Sequence, residues 1–172
     1  MSKASLKKAL KGVDREGLVD LICELYDARP EAKEYLEFWT DPNAEAELEK
    51  YKTRIFKLFF MSEGKIRKSP DFTKLKTLLK YFSTLFIDSE KNADLRLFAL
   101  EIYRQWLSLR NRVMSHTTRA DKMLQDTKDY ITANGLEDEF ALRFDRVLDE
   151  INAVFDRGDI PDRRGWRRFL KY

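Results

Sequence analysis

Apolar residues recur along this chain at three- and four-residue spacing, the period of one helical face, and no stretch alternates apolar and polar as a half-buried strand would. Leu6 and Leu10 mark a short first helix ending at Gly12, and Asp14 caps a second that carries Leu18, Leu21, Ile22 and Leu25. Pro30 opens a third helix with Ala32, Tyr35, Leu36 and Trp39, after which Asp41-Pro42 gives an N-cap with proline at the first helical position. The fourth helix runs to about Met61 on the stripe Leu48, Tyr51, Ile55, Leu58 and Phe59, widened by Phe56 and Phe60, with Gly64 as its stop. Ser69-Pro70-Asp71 repeats the cap-plus-proline signature ahead of Phe72, Leu75, Leu78, Leu79, Phe82, Leu85 and Phe86. A sixth helix over about 92–115 is apolar on two faces. Leu95, Phe98, Ala99, Ile102, Trp106, Leu109 and Val113 form one, and Leu97, Leu100, Leu107 and Met114 the other, which predicts a central position. Thr117 or Thr118 caps a seventh with Met123, Leu124, Thr127, Tyr130 and Ile131, ending at Asn134-Gly135. The eighth spans about 136–157 with Phe140, Phe144, Val147, Leu148, Ile151 and Phe155, and Gly158 closes it.

This predicts an all-α fold of about eight helices in antiparallel pairs, as a bundle or a short helical-solenoid-like stack. No fixed period supports a named repeat, and no Pro/Gly/Ser-rich linker divides the chain. The expectation is one domain over 1–172, with 64–69 the only internal seam and 159–172 a basic-aromatic tail docked on the body. A chain of 172 residues can bury roughly 70% of its unfolded surface. Its 43% hydrophobic and 37% charged residues exclude intrinsic disorder. The single cysteine, Cys23, cannot form an internal disulfide, which suits a reducing cytoplasm, and its apolar neighbours read it as a buried structural thiol. Lysines run through what a signal peptide would keep apolar, and no uncharged stretch is long enough to span a bilayer.

Charge changes the picture, because it is sorted. Residues 1–12 carry +4, 13–49 carry −9, 50–82 carry +8, 83–120 carry +2, 121–161 carry −6 and 162–172 carry +4, within a total of +3. Sorted charge steers a polyanion or lets oppositely charged helices pair inside one molecule. Lys65, Arg67 and Lys68 lie in the loop that leads to Ser69 and to Lys74 in the next helix, where unpaired backbone amides favour an anion. These five are the anion-binding candidates, while Lys50, Arg54 and Lys57 fall opposite the apolar stripe as a solvated face would. In the tail, Arg163, Arg164, Trp166, Arg167 and Arg168 mix guanidinium groups and a ring that suit nucleic acid, or equally suit docking on the acidic 121–161 block.

Catalytic chemistry finds little foothold. One histidine and one cysteine far apart make a metal site improbable, and there is no Gly-rich phosphate loop, Gly-x-Ser-x-Gly elbow or His-Glu-x-x-His. Glu31, Glu34 and Glu37, like Glu137, Asp138 and Glu139, sit near helix starts, where negative charge is favourable anyway. The string Arg110-Asn111-Arg112-Val113-Met114-Ser115-His116 resembles the HEPN ribonuclease motif of metal-independent RNases. That resemblance implies Arg110 and His116 as the active pair and Asn111 as support, the arginine stabilising phosphate charge and the histidine moving protons. A six-residue step on an unbroken helix turns about 600°, leaving those side chains about 120° apart. An arginine-rich helix end with histidine in its last turn is also favourable without catalysis.

Across most of the chain, Leu6-Lys7-Lys8-Ala9-Leu10, Leu18-Val19-Asp20-Leu21-Ile22, Glu24-Leu25-Tyr26-Asp27, Ala32-Lys33-Glu34-Tyr35-Leu36, Asp41-Pro42, Ala93-Asp94-Leu95-Arg96-Leu97, Gly165-Trp166 and Tyr172 resemble a domain-of-unknown-function family of small all-helical bacterial proteins. The resemblance implies an all-α cytosolic protein with no assigned activity and carries over no site residues. The sequence reading is therefore a non-enzymatic binding module without a cofactor. A polyanion such as nucleic acid, contacted through residues 50–80, is the leading partner; a ribonuclease using Arg110 and His116, and a protein-interaction scaffold, are the alternatives. An acidic protein partner and a homo-oligomer stay open.

Overall fold

Ser2, Asp14, Asp71 and Asp88 each begin a helix by accepting from an amide that has no partner in the first turn, whereas the helices starting at Pro30, Thr117 and Glu137 have no side-chain cap. Thr117 and Thr118 lie inside the seventh helix and do not cap it, His116 holding that position. The computed structural model describes residues 2–61, 65–85, 88–111 and 113–159. They fold as two compact units, the first ending at Asn43 and the second beginning at Ala44.

In the first unit, Ser2 caps α1 (Lys3–Leu10) by accepting from the Ser5 amide at 3.2 Å. Asp14 caps α2 (Arg15–Ala28) through Gly17 N at 3.0 Å. Pro30 is the first residue of α3 (Pro30–Thr40), and Arg29 before it is extended, φ −135° and ψ 111°, as proline's ring demands of its predecessor. α2 and α3 pack together, and Tyr26 donates its hydroxyl to Glu37 Oε1 at 3.0 Å. No side chain of these three helices is buried. Leu21, Ile22 and Leu25 are exposed although their spacing predicts a core stripe, and Cys23 is exposed rather than a buried thiol. Two helices can shield only part of each other's surface, and α2 has apolar residues over more than the face α3 covers.

The second unit holds α4 (Ala44–Phe59), α5 (Phe72–Leu85), α6 (Ser89–Ser108), a 3-10 turn at Met114–His116, α7 (Thr117–Ala133) and α8 (Glu137–Asp156). The fold is all-α: among the described residues the only strand-like pairing is a single antiparallel bridge between Phe60 and Ile66. α6 is central, touching α4, α5, α7 and α8, and it buries residues on both of its apolar faces, from Ala93 to Leu107. Its rings join an aromatic cluster: Tyr103 lies 5.3 Å from Phe72, and Phe59 lies 6.3 Å from Trp106 and 5.7 Å from Phe72.

Several boundaries differ from the periodicity, each for a local reason. Asp41 closes α3, its amide donating to Glu37 O at 3.0 Å, rather than capping α4. Asp71, not Ser69, caps α5, accepting from Lys74 N at 2.8 Å. Asp88 starts α6 ahead of the apolar stripe by accepting from Glu90 N at 2.9 Å. α6 ends at Ser108, short of Val113, because Arg157 at the end of α8 donates to the released carbonyls of Ser108 and Arg110 at 3.1 and 3.3 Å. Leu109 and Met114, placed on the stripes by spacing, are consequently exposed. α7 and α8 fold back on each other through Asn134 and Gly135, whose φ of 66° is left-handed.

Sorted charge is used partly inside this unit. Arg143 of α8 donates to Glu101 at 2.7 and 3.0 Å and pairs with Asp94, which also meets Lys52 of α4 at 2.9 Å. Burial pushes the Asp94 carboxyl up, but hydrogen bonds from Arg143 and Lys52 outweigh it and hold it below the usual carboxylate range.

Candidate functional site

The end of α4, the loop after it and the first turn of α5 enclose a cleft of about 600 Å³ in the second unit. Arg54 and Lys57 come from one face of α4, Arg67 and Ser69 from the loop, and Lys74 from α5, with Leu58 and Leu78 behind them. Lys65 and Arg67 are held to the end of α4 by backbone hydrogen bonds: Met61 N donates to Lys65 O at 2.7 Å and Arg67 N to Phe59 O at 2.8 Å. The Trp106 indole donates to Arg67 O at 2.8 Å, tying the loop to α6. Arg67 itself reaches back, its Nε donating to Lys57 O at 2.8 Å, so its guanidinium is aimed along the α4 end. The Arg54 guanidinium rests 4.9 Å from the Tyr51 ring centroid, which limits its rotamers.

Of the five anion-binding candidates read from the sequence, Arg67, Ser69 and Lys74 line this cleft. Lys65 and Lys68 are exposed on the same loop and do not line it. Arg54 and Lys57, read as a plain solvated face, do line it. The α5 start is a poorer anion trap than its sequence suggests, because Asp71 already occupies the Lys74 amide and contributes the one carboxylate of the lining. Arg163, Arg164, Trp166, Arg167 and Arg168 lie outside the described residues.

Arg110 and His116 do not share a helix. α6 has ended before Arg110, and His116 is the last residue of the 3-10 turn Met114–His116 that runs into α7, not part of the last turn of α6. Both side chains nevertheless meet on Trp106: the Arg110 guanidinium is 4.6 Å from the ring centroid and the His116 ring packs edge-on at 5.0 Å. His116 Nδ1 is enclosed without a hydrogen-bond partner among the described residues. Burial first, then the charges of Arg119 and Arg110, push the imidazole pKa below its ordinary value. Among the described residues no group of three or more His, Cys, Asp or Glu is placed to hold a metal ion, and no helix is long and apolar enough to cross a membrane.

A feature the sequence reading missed is a second groove of about 740 Å³, walled by α5 and α7 with Arg96 and Ala99 of α6 between them. The signal was a charged residue, Arg96, on a helix apolar on both faces.

An all-α protein with a basic cleft at the junction of two helices is what the structure defines. The chain belongs to the family of unknown function DUF6155, whose model matches residues 1–156. No curated protein and no solved structure is matched by the chain.

Proposed function

We propose that the protein is a non-enzymatic binding module that takes a polyanion, nucleic acid being the leading one, on the α4–α5 cleft, and that it works in the cytoplasm. The observation that carries this reading is the gathering of Arg54, Lys57, Arg67 and Lys74, from two helices and a loop, around one cavity with Asp71 as the opposing charge. Four cations around one cavity can supply the sequence-independent part of nucleic-acid affinity. The net positive charge of the lining makes backbone charge the expected driver of binding. Titrating binding of a short DNA duplex against salt should give a log-log slope near −3.6 for about four phosphate contacts. Lys57→Ala and Lys74→Ala should each flatten it by about 0.9. Absence of binding at low salt overturns the nucleic-acid reading and leaves an interaction scaffold.

The ribonuclease reading has one observation in its favour, the convergence of Arg110 and His116 on Trp106 across a broken helix. Incubating RNA without metal ions tests it: His116→Ala turning over RNA as fast as the unaltered protein removes that reading.

A further inference from the structure

Partly buried arginines are handled in two ways in the second unit. Arg143 reaches two carboxylates of α6, Asp94 and Glu101. Arg96, on α6 itself, forms no ion pair among the described residues. Its Nε is enclosed with no hydrogen-bond partner there, and its guanidinium stacks 4.4 Å from the Tyr130 ring centroid. Burial lowers its pKa, opposed by Tyr130 and Asp126, yet an arginine stays charged. An enclosed Nε with no partner fixes no direction for the side chain, while the Nη end of a guanidinium presents a planar fork suited to a carboxylate.

The surroundings say what the guanidinium could meet. Arg96 and Ala99 of α6 line the groove between residues of α5 and α7. Leu75 and Leu79 from α5 and Met123 from α7 make an apolar trough, and Lys76, Lys80 and Lys122 stand along it. Asp126 and Asp129 oppose them, the latter already accepting from Gln125 at 2.7 Å. A volume of about 740 Å³ is that of a small-molecule site; most of its accessible surface is apolar although seven lining residues are charged, among them a second arginine, Arg119, stacked 4.1 Å from the Phe72 ring centroid. No residue of this groove lines the basic cleft.

We propose that the α5–α6–α7 groove binds a small anionic amphiphile, an apolar chain ending in a carboxylate, with Arg96 taking the carboxylate and Leu75, Leu79 and Met123 taking the chain. A polyanion would need only the lysines and would leave the apolar trough wet. An uncharged apolar ligand would leave Arg96 as it is.

The test is calorimetric titration of the full chain with decanoate below its micellar concentration, against decanol and acetate as the body and the head alone. Decanoate should bind, with decanol and acetate weaker by roughly tenfold or more, as expected for loss of a charged hydrogen bond or of the buried chain. Arg96→Met should weaken decanoate binding roughly tenfold or more, and Leu79→Gln should weaken it as well. Lys57→Ala, in the other cleft, should leave it unchanged, so this result stands apart from the polyanion test. No decanoate binding at millimolar concentration, decanol or acetate binding as tightly as decanoate, or Arg96→Met binding decanoate as the unaltered protein does, each overturns the proposal. If Arg96→Met does not fold, Leu79→Gln and the three-ligand comparison on the unaltered protein decide it.

Discussion

His116 shows how one side chain's surroundings can be read in solution, because it is the single histidine of the chain. Its ring is held edge-on to Trp106 and lies near Tyr103, whose hydroxyl donates to the His116 carbonyl at 3.4 Å. Burial removes water from the imidazolium, and Arg119 and Arg110 add repulsion, so the folded protein holds the neutral ring to lower pH than an unfolded chain does. Below the unfolded value of about 6.5 the unfolded chain binds the proton first, so this residue's contribution to stability is complete above that pH. The contribution is lost as pH falls towards the folded pKa. The expected outcome is one histidine resonance in a proton NMR titration with a midpoint below about 6.5, shifted upward in Arg119→Met, which removes one of the two repelling charges. A midpoint at or above the ordinary value would mean that the ring is solvated and that the packing on Trp106 does not hold.

At the scale of an element, helix ends are decided by single groups, and some of those groups are far away in sequence. Gly135 lies between α7 and α8 at φ 66° with open space where a Cβ would go, so an alanine there meets no atom and suffers only the left-handed backbone. Gly135→Ala should therefore destabilise the protein by about 1 kcal/mol, a left-handed penalty of about 1–2 kcal/mol being partly offset by lower entropy of the unfolded chain. Chemical denaturation measures this, and an unchanged midpoint would show that the α7–α8 turn relaxes to a right-handed form. Asn134-Gly135 was legible in the sequence because its signal is local, as were Asp14 and Pro30. The end of α6 was not, because the group that stops it, Arg157, is nearly fifty residues further on and an apolar stripe continues past Ser108. The same distinction runs through the candidate sites. The basic loop could be read from its own residues, and its partners Arg54 and Lys57 could be placed on a face but not on a cleft. The groove draws on three helices, so only Arg96, a charge out of pattern, announced it.

Across the whole molecule, the two units differ in what holds them together. Every fully buried side chain among the described residues belongs to the second unit, where Tyr51, Phe59, Phe82, Tyr103 and Trp106 give a ring-rich core around α6. At about 25 cal/mol per Å² of apolar area, such burial is the term that outweighs chain entropy. The first unit has no buried side chain, and Val19, Leu21, Ile22, Leu25 and Trp39 are exposed, Trp39 at 70%. Its helices contain 8, 14 and 11 residues. Isolated helices below about 12–15 residues are marginal in water, because nucleation costs more than so few propagation steps return. A three-helix segment of this size, without a core, is below the length at which a domain usually folds alone. Separated pieces should accordingly behave unequally. Residues 44–172 alone should keep a cooperative thermal transition by circular dichroism. A peptide of residues 1–43 should show weak helicity that declines gradually on heating, with no sigmoid. A sigmoidal melt of the peptide at low concentration would mean that its caps and the α2–α3 contacts suffice without burial. Loss of cooperativity in 44–172 would mean that the core around α6 does not carry the stability its burial implies.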